Sequence, residues 1–193
     1  MPKGSQNDRN LCRQWSRWWS EGLGINPPRN DIFWRTAGSG ARARTRKDSG
    51  QNVKRGYGDM MAEDPIGQPL IDKCTFEFKK GYPKLSIDAC INSSQKMPKL
   101  IQFLLEAEKD AKDAGTYPVL VIHQDRKKPI IGTPASLYQY FVEWHGSLRM
   151  RDHSIIGIQD KHLCYLKYYF IILEDFFYWV NPQFFQNLDS SGK

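Results

Sequence analysis

Cys74-Thr75-Phe76-Glu77-Phe78-Lys79-Lys80 (CTFEFKK) closes an apolar-rich run that begins at Leu70. Its residues alternate with a period of two, which reads as a β-strand. Thr75, Glu77 and Lys79 face one way, Phe76 and Phe78 the other. Charged groups in a strand that should be largely buried are costly unless they are paired or bound to metal. The bland alternative is a Glu–Lys pair on an edge strand facing water.

Upstream, Gly56 to Ala62 forms a second apolar-rich run. Glu63-Asp64-Pro65-Ile66-Gly67-Gln68-Pro69 joins it to the first as a turn, so the two runs read as a β-hairpin. Asp59 on one strand and Glu77 on the other then meet across the ladder, with Lys79 reaching the same pocket. Hydrolysis of a phosphodiester needs an activated water and a cation to take up developing charge. Mg²⁺ uses hard oxygen ligands, commonly one or two carboxylates plus water. Two convergent carboxylates with an adjacent ammonium meet that requirement.

Working outward, Leu11, Trp15, Trp18 and Trp19 recur at helical spacing over about residues 9–21. Asp8 is a candidate cap, Gly22 and Gly24 end the helix, and the residues before Arg9 read as loose. The tryptophan stripe reads as core in preference to a stacking surface. Asp31 to Thr36 (DIFWRT) is a short strand. Residues 37–52 are Gly-, Ser-, Arg- and Lys-rich, an exposed loop whose Arg42, Arg44, Arg46 and Lys47 suit phosphate contact. Pro98 to Ala114 is helical with Leu100, Phe103, Leu104, Ala107 and Ala111 buried, and Val119 to His123 is a strand covered on both faces. The order helix, three strands, helix, strand makes an α/β layer with a mixed sheet. Leu137–Trp144 and Ile155–Ile158 read as either strand or helix. Leu163 to Trp179 reads as a helix, and the aromatics Phe176 to Trp179, Phe184 and Phe185 as core or an oligomer contact. The division expected is one domain over 1–193: a loose start at 1–8, a catalytic core over 9–134, and an aromatic-rich helical extension over 135–193.

Gly58-Asp59-Met60-Met61-Ala62 followed by Phe76-Glu77-Phe78-Lys79, inside that element order, resembles the PD-(D/E)XK (restriction-endonuclease-like) nuclease superfamily. The likeness is greatest to its Holliday junction resolvase-like and phage-encoded branch, and it covers roughly residues 31–126. The resemblance implies that Asp59 and Glu77 bind Mg²⁺ (or Mn²⁺), with the backbone carbonyl of Phe78 as a further ligand, and that Lys79 positions the attacking water. It also implies substrate contacts at Arg35 and at Ser39 in Gly38-Ser39-Gly40. Many members place another Glu on the first helix as a metal ligand. Glu21 is the candidate, with a plain helix-end surface Glu the equal alternative. Gln102 is comparable to a Gln that assists the site in several branches, although a solvated helix position suits it better. Asp64-Pro65 reverses the Pro-Asp pair of the superfamily's name, which leaves Asp64 as an alternative ligand. Asp59 is preferred because it lies in an apolar strand, whereas Asp is common in turns for local reasons.

A net charge of +7 and a pI near 9.2 favour a polyanionic partner, DNA first. Cys12, Cys74, Cys90 and Cys164 are far apart with no CxxC pair, which indicates reduced thiols and a cytoplasmic setting. The four histidines show no HxxxH or HxH spacing, and there is no GxSxG elbow or GxxxxGK[ST] loop. No signal peptide or membrane span is expected. The function expected is a metal-dependent DNA endonuclease, with branched or structured DNA favoured as substrate and a homodimer expected by analogy. The alternatives are a sequence-specific restriction-type enzyme and an inactive nucleic-acid-binding protein of the same fold.

Overall fold

The computed structural model describes residues 3–36, 57–82, 85, 98–145, 154–159 and 165–188. Its elements run α1 (Lys3–Gly22), β1 (Phe33–Arg35), β2 (Met60–Ala62), a 3₁₀ turn (Pro65–Gly67), α2 (Gln68–Lys73), β3 (Cys74–Lys80), α3 (Lys99–Ala114), β4 (Tyr117–His123), β5 (Ile130–Pro134), α4 (Ala135–His145), β6 (Ser154–Gln159), β7 (Tyr165–Ile172), α5 (Leu173–Trp179) and α6 (Gln183–Asn187). This is a mixed α/β arrangement. A five-stranded sheet in the order β3-β4-β5-β7-β6 is flanked by helices, and β1 and β2 form a separate antiparallel pair. Among the described strands only β3 and β4 run parallel, joined across α3; the other ladders are antiparallel.

The sheet has two covered faces. Phe76, Phe78, Val119 and Val121 point into a large core with the α1 tryptophans and the aromatics of α5 and α6. Leu120, Ile122, Tyr168 and Phe170 point to the other side, against Leu100, Phe103 and Leu104 of α3. Glu77 and Lys79 pair in register with Leu120 and Ile122, so they share the α3 face. The alternation expected for β3 therefore holds, and its polar side is the one under α3. The C-terminal aromatics are core: Phe176, Phe184 and Phe185 are buried, although Tyr178 and Trp179 remain exposed.

Three expectations need correction. The runs around Asp59 and Glu77 are not a simple hairpin. β2 pairs with β1 instead, with Arg35 opposite Met60, and Gln68–Lys73 before β3 is helical. Pro65 and Pro69 lie in the first turns of these helical segments, where a missing N–H costs little. Tyr165–Ile172 is a strand, not helix, because it is laddered on both sides, to β5 and β6. The first helix starts at Lys3, well before Arg9, so residues 3–8 are helical in place of a loose end, and Asp8 lies inside the helix and does not cap it. The ambiguous segments resolve as helix over 135–145 and strand over 154–159. No helix among the described residues is long and apolar enough to cross a membrane.

Candidate active site

β3 is an edge strand of the five-stranded sheet, and the segment before β2 runs along its free side. Gly58 makes that approach possible. Its φ is +79°, and a Cβ there would lie 2.7 Å from the Phe76 carbonyl oxygen and 3.0 Å from the Phe76 nitrogen. Asp59 follows at once. Its N–H donates to the Phe76 carbonyl (2.6 Å), and its Oδ2 accepts the Phe78 N–H (2.8 Å). Thr36 N–H donates to the Asp59 carbonyl (3.1 Å), which ties in the end of β1. Asp59 is thus fixed to the strand that carries Glu77 and Lys79.

Glu77 and Lys79 are each only 15% exposed, and Lys79 Nζ lies 2.7 Å from Glu77 Oε1. Burial raises the Glu77 carboxyl to about 7; the charges of Asp59 and Asp110 add to this, and Lys79 opposes it. For Lys79, burial works against the ammonium, but the hydrogen bonds and charges of Glu77 and then Glu106 outweigh it and hold the group above its ordinary value. Lys79 Nζ also lies 3.1 Å from Glu106 Oε2 and 4.6 Å from the Phe103 ring centroid, both on α3.

These residues suit a hard divalent cation. The donors are oxygen, and two carboxylates disfavour each other's charge at a buried site, a repulsion a cation would relieve. Among the described residues no group of three or more His, Cys, Asp or Glu side chains could hold a metal ion. One or two carboxylates completed by water is the Mg²⁺ pattern. Phe78, whose carbonyl is the expected backbone ligand, is the residue whose N–H binds Asp59.

The structure brings Asp59, Glu77 and Lys79 together. Glu21 is elsewhere: it is exposed, pairs with Arg17 at 3.8 Å, and lines a cavity of about 490 Å³ with Trp18, Lys128 and Phe177. The acidic residue that α1 does contribute is Asp8, 13 residues earlier, or roughly 20 Å along a helix axis. Burial, then the charge of Asp59, raises the Asp8 carboxyl, while Arg35 lowers it across a 2.9 Å ion pair. Arg35 is thus beside the site through Asp8. Gln102 sits one turn before Glu106 on α3 and accepts from Lys99 (3.1 Å). Asp64 accepts the Ile66 N–H and pairs with Arg29 at 2.7 Å, local duties of a turn residue. Ser39, Arg42 and Arg44 lie outside the described residues.

Sequence reading missed Asp8, Glu106 and Asp110. Asp8 stands four and seven residues before Cys12 and Trp15, so extending the buried stripe back one turn would have found it. Asp110 is a buried acid within the apolar stripe of α3, three residues after Ala107. A carboxylate in such a stripe is itself a signal.

No curated protein and no solved structure matches the chain. A family model described as "Phage putative PDDEXK endonuclease" matches residues 2–187 of the 193, and the chain belongs to that family.

Proposed function

We propose that the chain is a Mg²⁺-dependent DNA endonuclease with a restriction-endonuclease-like core, in which Asp59, Glu77 and Lys79 act on the scissile phosphodiester. The observation that carries this reading is the buried Glu77–Lys79 pair beside an Asp59 locked to the same strand. Family membership supports nuclease chemistry independently.

Asp59 and Glu77 would hold the cation, with the Phe78 carbonyl as a further ligand. When bound, the cation would supply charge neutralisation at the phosphate and a lower pKa for a coordinated water. The rest falls to the protein. The Asp59 carboxylate keeps its place through the Phe78 N–H. Glu77 must be ionised to ligate, so its proton has to leave as the site loads. Lys79 orients the attacking water through its ammonium. Arg35, held by Asp8, is placed to exchange that partner for a substrate phosphate.

Branched or structured DNA is the proposed substrate class. The net charge of +7 and the Arg42–Lys47 cluster favour backbone contacts, which read shape before sequence. The test is cleavage of labelled linear, single-stranded and four-way-junction DNA with Mg²⁺, Mn²⁺ or EDTA, for wild type, Glu77→Ala and Lys79→Ala. Metal-dependent cutting by the wild type, lost in both variants, is expected. DNA binding without cutting under any metal, the same for all three proteins, would replace the nuclease with a binding module.

A further inference from the structure

Lys79 has two carboxylate partners, on different elements and with different obligations. Glu77 belongs to the same strand and contacts the ammonium at 2.7 Å. Glu106 reaches it from α3 at 3.1 Å, and Phe103, one turn earlier on that helix, places its ring 4.6 Å from Nζ. Lys99 approaches the same ring at 5.3 Å. Lys79 is nearly buried at 15% exposure, whereas the Glu106 side chain is 53% exposed, so Glu106 can move without opening the core.

The two partners part ways once the site is in use. A Glu77 committed to a cation has less negative charge to offer Lys79, and a dication beside an ammonium pushes it away. A lysine side chain with four rotatable bonds would then swing out unless something outside the metal centre retained it. Glu106 and Phe103 approach Lys79 from α3, a different element from the strand of Glu77. They form a cradle of one negative charge and one aromatic face, and neither is among the ligands proposed above.

We propose that Glu106 is the positioning residue for Lys79: it holds the ammonium in the site when Glu77 turns to the cation. The proposal rests on the nuclease reading above, in which Lys79 orients the attacking water. A merely structural Glu106 would form a half-exposed ion pair of little consequence.

The experiment uses the full chain as wild type, Glu106→Gln, Glu106→Asp and, as a distant exposed control on α4, Glu143→Gln. Side-chain ¹⁵N relaxation of the Lys79 ammonium is recorded with and without Mg²⁺, with its signal assigned by its absence in Lys79→Arg. Steady-state cleavage gives kcat and KM. In the wild type and the control, Lys79 should stay ordered when Mg²⁺ is added. In Glu106→Gln it should become mobile on adding Mg²⁺, with kcat down ~10-fold or more and KM little changed, the pattern of a misplaced catalytic group. Glu106→Asp should recover part of both. An ordered Lys79 in Glu106→Gln, or a kcat within about twofold of wild type, overturns the inference while leaving the nuclease intact. A wild type that cuts nothing removes the nuclease reading itself, and with it the reaction Lys79 would serve.

Discussion

At Glu77, burial and a neighbouring carboxylate act in the same direction, and Lys79 only partly offsets them. Because its carboxyl is raised to about 7 in the folded protein, the side chain binds a proton more tightly folded than unfolded. Its contribution to stability is therefore full below the ordinary glutamate value of 4.5 and is lost as pH rises through about 7. At about 1.4 kcal/mol per pH unit, the loss amounts to a few kcal/mol at most. Melting of the metal-free protein between pH 5 and 8 should show this decline for wild type and a flatter profile for Glu77→Gln. A wild type as pH-insensitive as the variant would contradict it. On the metal role proposed for Glu77, the same proton would compete with the cation, so Mn²⁺ affinity measured by titration calorimetry should weaken as pH falls below about 7.

Between residue and sheet, the approach of Gly58 to β3 sets where Asp59 can stand. In Gly58→Ala the new methyl would meet backbone atoms of Phe76, which cannot swing aside as a side chain can, at a φ of +79° that disfavours any Cβ. A cost of at least ~1–2 kcal/mol is expected from the dihedral alone. Melting temperature and divalent-cation affinity should fall together; a drop in stability with unchanged affinity would show that Asp59 finds its place by another route. Legibility from sequence divides along these elements. β3 was readable because strict alternation has one structural meaning, and the helix over 99–114 because its stripe ends at Gly115, which adopts the left-handed conformation that closes it. α2 was hidden, since Pro65, Gly67 and Pro69 spell a turn as readily as two helix starts. β7 was misread because a continuous apolar run has no period, and only its neighbours on both sides make it a strand. The candidate site was legible as far as the contacts go, with Glu77 paired to Lys79 and Asp59 bound to the same strand. On α1 the candidate was Glu21, the only Glu before position 63, whereas the acid of that helix whose charge meets Asp59 is Asp8, which reads from sequence as a cap before the helix.

Across the whole molecule, the two ends of the chain share one core. Trp15 is fully buried, with ring contacts to Trp18, to Phe76 on β3, and to Phe176 and Phe177 on α5, at centroid distances of 4.7–5.6 Å. Trp18 donates its indole N–H to the Val180 carbonyl (3.0 Å), and Trp19 donates to Ile66 (3.0 Å). The segment over 173–188 is therefore packed against the helix that brings Asp8 to the site. Trp15→Ala should cost ~3–5 kcal/mol by chemical denaturation, as expected for a large buried aromatic. A loss under 1 kcal/mol would mean that the two ends are not joined through this ring.

The hydrogen bonds that anchor Asp59 have a consequence for how the protein behaves in a tube. β3 is an edge strand of the sheet, and among the described residues Asp59 takes its outward Phe76 carbonyl through its backbone N–H and its Phe78 N–H through its side chain. Unoccupied, such groups are a template on which a strand from another molecule can pair. The Asp59 carboxylate therefore keeps the Phe78 N–H from offering itself to another strand. On the catalytic roles proposed above, Asp59→Ala would silence the site and free the Phe78 N–H, while the backbone bond from residue 59 to the Phe76 carbonyl stays; Glu77→Gln would silence it with both groups still covered. On the nuclease reading proposed above, Glu77→Gln is the form to choose for trapping uncut DNA at the concentrations that crystallisation demands.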